Sequence, residues 1–362
     1  GGEDAETVVT AECRLRNAAA HIALGDPTAD TNVQRVDLDR LSGTITYSYT
    51  GVQIDGLQAW VNVPQPQGED VLPGRSRVRL LADGLYDPKS SGTEVDVMVY
   101  DLQTNQALMN MTPELATVWD MLQPRVDLDL EASIYGDLNK GVNARILADV
   151  HGGTIKTKQF PMALEQVMGS LSVRVKNGDT RIMLKEMKAL LPSAMGDRGP
   201  MYRAGSLKAY GLADLGADHY EFNFTAKDVN LSRQLLVGLP GDMGEEVWDL
   251  ARPEGIVSVS GRVMYDPKKE VPLRSFLDVN LMDVSGEIKG LPITGATGHV
   301  LVTEGRALSN QISGIVGAGR FQGAAVFYYG PEMTTSYGAT LSVTDVKVGQ
   351  VLQSLTGEES GV

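Results

Sequence analysis

Cysteine is almost absent from this sequence. Cys13 is the only one, so no disulfide can form within the chain and no cysteine cluster can hold zinc. Histidine is nearly as scarce: His21, His151, His219 and His299 lie far apart, with no His-x-x-x-His or Glu-x-x-His spacing to make a local metal motif. Basic clusters are missing as well. Against 46 Asp and Glu stand 32 Lys and Arg, a net charge of −14, which argues against the counterion-replacing face of a nucleic-acid binder and against polybasic attachment to an anionic leaflet. No apolar run approaches the ~18 residues of a spanning helix, and no signal-peptide pattern is present. Beginning at Gly1 without Met, the chain reads as a piece of a longer protein. There is no Gly-x-Ser-x-Gly elbow, and Cys13 has no catalytic signature around it, so covalent catalysis has no support and no enzyme is expected. No cofactor or metal site is expected either.

What the chain does have is glycine, 40 residues of it, with only six phenylalanines and many Val, Leu, Thr and Ser. That composition favours many strands joined by tight turns, and hence a mostly β fold. It also has a repeat. Val118-Trp119-Asp120-Met121-Leu122-Gln123-Pro124 leads into an alternating run from Val126 to Tyr135, and Val247-Trp248-Asp249-Leu250-Ala251-Arg252-Pro253 leads into another from Val257 to Tyr265. Both the tryptophans (119 and 248) and the prolines (124 and 253) are 129 residues apart. Each copy predicts a short Trp-bearing helix stopped by Pro, since the residue before Pro is pushed out of the helical region. A strand then follows. In the first, Val126, Leu128, Leu130, Ala132 and Ile134 share one face while Asp127, Asp129, Glu131 and Ser133 share the other, the period of a half-buried strand.

Further markers recur in the same order. Gly153-Thr154-Ile155-Lys156 matches Gly286-Glu287-Ile288-Lys289, Phe160-Pro161-Met162 matches Leu291-Pro292-Ile293, and Ala204-Gly205-Ser206-Leu207 matches Ala318-Gly319-Arg320-Phe321. Each unit is predicted to close on an aspartate followed by a short amphipathic helix, over Lys227 to Leu236 and Thr344 to Leu352. Asn177-Gly178 between two alternating runs predicts a type I′ hairpin, and Glu304-Gly305 marks another turn. The division expected is a diverged, truncated β-rich unit over 1–117 and two repeat units over 118–246 and 247–362. The 1–117 stretch carries strand patterns at Cys13 to Arg16, Gly43 to Tyr49, Leu57 to Val63, Ser76 to Leu81 and Val97 to Leu102, then a helical run through Glu114 to Leu122. Units of this kind stack on their neighbours.

The order Gly-Gly-Thr-Ile, apolar-Pro-x, Gly169-Ser170-Leu171-Ser172-Val173, hairpin, Ala-Gly-Ser-Leu, then Asp228-Val229-Asn230-Leu231 with Leu235-Leu236 resembles the AsmA-like superfamily of bacterial envelope proteins, with repeats of the TamB/YhdP type. The resemblance covers roughly Val118 to Leu355 and rests on the spacing of small and apolar residues. It implies a long curved β groove, a periplasmic, inner-membrane-anchored protein whose tether lies outside this chain, and a part in lipid transport or outer-membrane biogenesis, with envelope proteins as further partners.

The expected architecture is therefore an elongated, curved, repeat-built antiparallel sheet, groove-like, with a few short helices. In the favoured reading its apolar face accepts phospholipid acyl chains, with Leu128, Leu130, Leu171, Val173, Val175, Val257, Val259 and Val263 as lining candidates. The alternative is a closed β-rich structural or adhesive module whose face is filled by Trp119, Trp248 and the Leu235-Leu236 and Leu352 helices. Three polar features read more simply as architecture. Asp127-x-Asp129-x-Glu131 is the wet face of a strand, the Gly314 to Gly323 cluster marks close strand packing or a turn rather than a phosphate loop, and the helical tryptophans plug a core.

Overall fold

A computed structural model describes residues 10–24, 34–62, 77–109, 116, 119–120, 122–137, 139–156, 163–191, 205–237, 243–269, 271–288, 290–317, 319–328 and 336–345. Within them the protein is mostly β, a 17-stranded antiparallel sheet with short helices, as its composition and alternation predict. The strands are β1 (Ala11–Leu24), β2 (Gln34–Ser48), β3 (Gly51–Asn62), β4 (Arg77–Asp87), β5 (Gly92–Gln103), β6 (Arg125–Asp137), β7 (Gly141–Ile155), β8 (Leu164–Lys176) and β9 (Asp179–Leu191). They continue with β10 (Gly205–Asp214), β11 (His219–Leu231), β12 (Glu254–Tyr265), β13 (Leu273–Ile288), β14 (Leu291–Thr303), β15 (Arg306–Val316), β16 (Gly319–Tyr328) and β17 (Ser336–Thr344). Three helices have both ends among the described residues: α1 (Gln106–Met109), α2 (Arg233–Val237) and α3 (Met243–Ala251).

By contact the chain divides into two compact units. One comprises Gly1–Ile155, Val167–Lys185 and Asp214–Ala217; the other comprises Lys156–Gln166, Glu186–Ala213 and Asp218–Val362. In the first, β1 to β7 pair in sequence order, and Leu38, Leu41 and Ala59 form a small buried cluster. In the second, β11 to β17 do the same. Its core is larger: Leu191, Ala226, Val229, Leu235, Val257, Val284, Ala296 and Phe321 are buried together.

Local chemistry explains the turns. Asn177 and Gly178 take φ of 53° and 86° between β8 and β9, the positive pair that a type I′ hairpin demands. At β14/β15, Thr303 pairs with Arg306 across Glu304-Gly305. The Trp-Pro segments behave alike in the two units. Gln123 donates its N–H to the Trp119 carbonyl at 2.9 Å, and Arg252 donates to the Trp248 carbonyl at 2.8 Å. Gln123 and Arg252 then take φ of 38° and 40°, each just before the proline at which the chain leaves the helix for β6 or β12.

A second recurring device was read differently in the sequence. Asp101, Asp228 and Asp345 all adopt left-handed backbone, with φ of 60°, 55° and 58°. Aspartate tolerates this conformation better than most residues. Asp101 and Asp228 do not begin helices, as the sequence reading had it for Asp228. They sit inside β5 and β11 as bulges, between Val99 and Leu102 and between Ala226 and Val229, after which the ladder resumes. The helices start only five residues later, at Gln106 and Arg233. Asn105 caps the first through its side-chain oxygen, which accepts the Leu108 N–H at 2.9 Å. Ser232 caps the second by accepting the Leu235 N–H at 3.2 Å. Of the helical run expected over Glu114 to Leu122, Ala116, Trp119, Asp120 and Leu122 are described and helical. The helix expected after Asp345 and the Phe160-Pro161-Met162 marker lie outside the described residues.

Candidate functional site: the apolar sheet face

In an antiparallel ladder, directly opposed residues point to the same face, so pairing partners can be followed across strands to show what each face carries. In the first unit one such row runs Cys13, Ile45, Ile54, Gly84, Val95, Ile134, Ala144 over seven strands. The next but one, two residues along each strand from a neighbouring row, runs Ala59, Leu80, Val99, Leu130, Ala148. In the second unit, Val229, Val257, Leu281, Gly298, Ile312, Gly323 and Leu341 form one row, and Phe224, Gly261, Leu277, Val302, Ala307 and Phe327 another. No charge interrupts any of these rows. Each unit thus carries its own apolar sheet face.

That face is not covered evenly. In the second unit, burial is greatest near the bulged ends of the strands. There Val257 is 2% exposed and Val229 is 6% exposed, with Leu235 of α2 in the same cluster. The helices pack tightly: Gly244 of α3 is buried, and a Cβ on it would overlap the Leu236 carbonyl oxygen of α2. Toward the hairpin ends the apolar residues are only half-buried, including Val259, Val263, Leu277, Val302 and Phe327. The first unit shows the same contrast, with Val126, Leu128, Ala148 and Val150 buried beside the β6 bulge and Val95, Val97, Ala132 and Ile134 half-buried beyond it.

Of the eight lining candidates, Leu128 and Val257 are therefore core residues. Leu130, Leu171, Val173, Val175, Val259 and Val263 are half-buried. Val257 and Val259 belong to one packed cluster. Leu128 faces Leu102 and Val150, and Leu130 faces Val99 and Ala148. Sequence reading missed these partners, because alternation gives a face but not a register. It also missed Leu281 and Ile312, although both stand in alternating runs that could have nominated them.

The tryptophans divide. Trp119 is buried at 7% exposure, as a core plug should be, whereas Trp248 on α3 is half-buried.

The opposite face carries the charged side chains and is internally bonded, and it also exposes Leu85, Met98, Phe276 and Ile315. Asp129 accepts the N–H of the bulge residue Asp101 at 2.8 Å and lies 3.1 Å from His151 Nε2. Ser133 donates its hydroxyl to Asp96 at 2.6 Å, and Asp83 accepts the Gly56 N–H at 2.6 Å. His299 pairs in the same manner with Asp278 at 3.1 Å. Asp127 and Glu131 are exposed, and among the described residues no group of three His, Cys, Asp or Glu side chains could hold a metal ion. The Gly314 to Gly323 stretch is two strands and their turn: Gly317 turns with φ of 52°, and a Cβ on Gly323 would overlap the Thr340 carbonyl oxygen. Among the described residues no helix is long and apolar enough to cross a membrane.

Compared with protein-family models, with curated proteins and with solved structures, the chain finds no match.

Proposed function

We propose that this chain is a non-enzymatic cell-envelope protein that offers apolar β-sheet faces to phospholipid acyl chains, for lipid transport between membranes or outer-membrane biogenesis. The observation that supports this reading is the uncharged rows of half-buried side chains in each unit. Relative to water, an acyl chain laid along such a face gains ~0.8 kcal/mol for each methylene it buries, so about a dozen buried methylenes would offset most of what the chain gives up on leaving a bilayer, without any polar site. Leu130, Val173, Val175, Val259 and Val263 would contact the chain, and Leu128 and Val257 would hold the floor beneath it. The periplasmic setting, an inner-membrane tether outside this chain and envelope-protein partners rest on the AsmA-like resemblance.

The closed structural or adhesive module is the competing reading, and the helix-covered cluster around Val257 and Leu235 favours it for that part of the face. One experiment separates the two. Photo-crosslinking side chains are placed at Val173 and Val259, and at Ser172 and Ser258 as neighbours on the other face, followed by extraction and mass spectrometry of captured and copurified lipid. Acyl lipid captured at the valines and not the serines is the expected result. Capture at neither pair, with no copurifying lipid, refutes the proposal in favour of the closed module.

A further inference from the structure

The polar face of the second unit contains a cleft of about 390 Å³ formed by β14 to β17, within the range of about 300–1,000 Å³ common for small-molecule sites. It arises from a bulge. Between Thr294 and Thr297 the β14/β15 register shifts by one residue, and Gly295 takes φ of 62°, which bends the strand away and opens the surface beside it.

The ladder places two rows of side chains on this surface. One runs Ser313, Gln322, Ser342 and the other Ile315, Arg320, Thr344, all six lining the cleft. Ser313, Gln322, Ser342 and Thr344 bring hydroxyl and amide groups, beside Gly295, Gly314, Ile315 and Phe321, and among the described lining residues the one cation is Arg320. Among the described residues no carboxylate lines the cleft, in a chain where acids outnumber bases by 46 to 32. Arg320 is exposed and its guanidinium makes no hydrogen bond or ion pair among the described residues, whereas Arg77, Arg181 and Arg262 on other strands each meet a carboxylate. An uncommitted guanidinium among hydroxyl donors matches the fork geometry of an oxyanion, and the Gln322 amide together with the Ser342 and Thr344 hydroxyls can donate to or accept from neighbouring hydroxyls.

We propose that this cleft binds a phosphate ester of a polyol, with Arg320 on the phosphate and Gln322, Ser342 and Thr344 on phosphate and hydroxyl oxygens. The ester can arrive as a soluble sugar phosphate or as a lipid headgroup. The inference does not rest on acyl binding, which uses the opposite face of the sheet, so either can fail alone.

The test titrates the chain with glucose 6-phosphate and with glucose, and measures its flotation with phosphatidylcholine vesicles with and without phosphatidylglycerol. Arg320→Ala, Arg320→Lys and Ser342→Ala are compared after their thermal midpoints have been shown to match the parent, as expected for exposed positions. Glucose 6-phosphate binding at least tenfold tighter than glucose, reduced tenfold or more by Arg320→Ala, partly kept by Arg320→Lys and weakened severalfold by Ser342→Ala, supports a soluble ligand. Binding only to phosphatidylglycerol vesicles, lost in Arg320→Ala, supports the headgroup. Equal binding of glucose and glucose 6-phosphate, binding unchanged by Arg320→Ala, or no binding in either arm overturns the proposal.

Discussion

Val257 and Val263 lie on the same face of the same strand, six residues apart, yet truncation should treat them differently. Val257 is 2% exposed, faces Val229 and Leu281 across its two ladders and shares a cluster with Leu235 of α2. Val257→Ala removes two methyl groups, worth ~1.6 kcal/mol at ~0.8 each, and leaves a cavity whose walls relax only in part, adding up to about 1 kcal/mol. The expected loss is ~2–3 kcal/mol. Val263 is half-buried and faces Phe222 and Ser275. Its methyls keep part of their hydration and leave no enclosed void, so Val263→Ala should cost less than ~1 kcal/mol. Urea unfolding followed by far-ultraviolet circular dichroism and by tryptophan emission measures both, with the denaturant slope checked for constancy. Equal losses at the two positions would refute the uneven covering of the face, and with it the physical basis for an accessible apolar surface.

Three further outcomes follow from the same geometry. On β6, Leu128→Asp should cost several kcal/mol because the position is buried, and Leu130→Asp less because it is half-buried. Asp129→Asn keeps an acceptor for the Asp101 N–H and should stay within ~0.5 kcal/mol. Thermal midpoints rank the three. Ser232→Ala and Asn105→Ala each remove a helix cap and should each cost ~1 kcal/mol, against a few tenths for the glycine variants. Denaturation midpoints check this. The third outcome concerns pH. At the β4/β5 turn, the Ser90 hydroxyl, followed by the Lys89 backbone N–H, holds the Asp87 carboxyl below its ordinary value. A carboxyl whose folded pKa is depressed contributes stability above its unfolded value of about 3.9 and loses it as pH falls through the folded value. Protection factors of the Lys89 and Gly92 amides, corrected for the intrinsic exchange rate, should therefore fall below about pH 4 in the parent, and Asp87→Asn should remove that acid-dependent step.

The sequence revealed strands more readily than the joints between them. Alternation from Val126 to Ile134 marks β6 because a sheet with one wet face imposes period 2, and Asn177-Gly178 marks its hairpin because few residue pairs accept two positive φ angles. The aspartate bulges are different. Asp228 followed by Val229, Leu231 and Leu235 looks helical on spacing, and only the partner strand, which resumes pairing at Val229 with Val257, shows that the chain stays extended through Leu231. Asp101 carried the same signal in the stretch taken as diverged, where Asp101, Leu102 and Asn105 correspond to Asp228, Val229 and Ser232. The extent of burial along a face was not legible either. Val257, Val259 and Val263 are identical in the sequence pattern, and what separates them is a helix packed over one end. Nor was the cleft on the polar face, because it depends on a bulge at Gly295 in β14 and on Arg320 two strands away.

In both units, each strand pairs with the strands before and after it in sequence, and this has a consequence for how the protein comes into being. No strand within β1 to β7, or within β11 to β17, must wait for a partner made much later. As the chain lengthens, each new strand meets a template already extended beside it, and the loops to be closed run from the two residues of a tight hairpin to the roughly twenty of a helical connection. Folding can therefore keep pace with synthesis, adding one strand at a time. At every moment the edges open to mispairing are those of the first strand and the newest one.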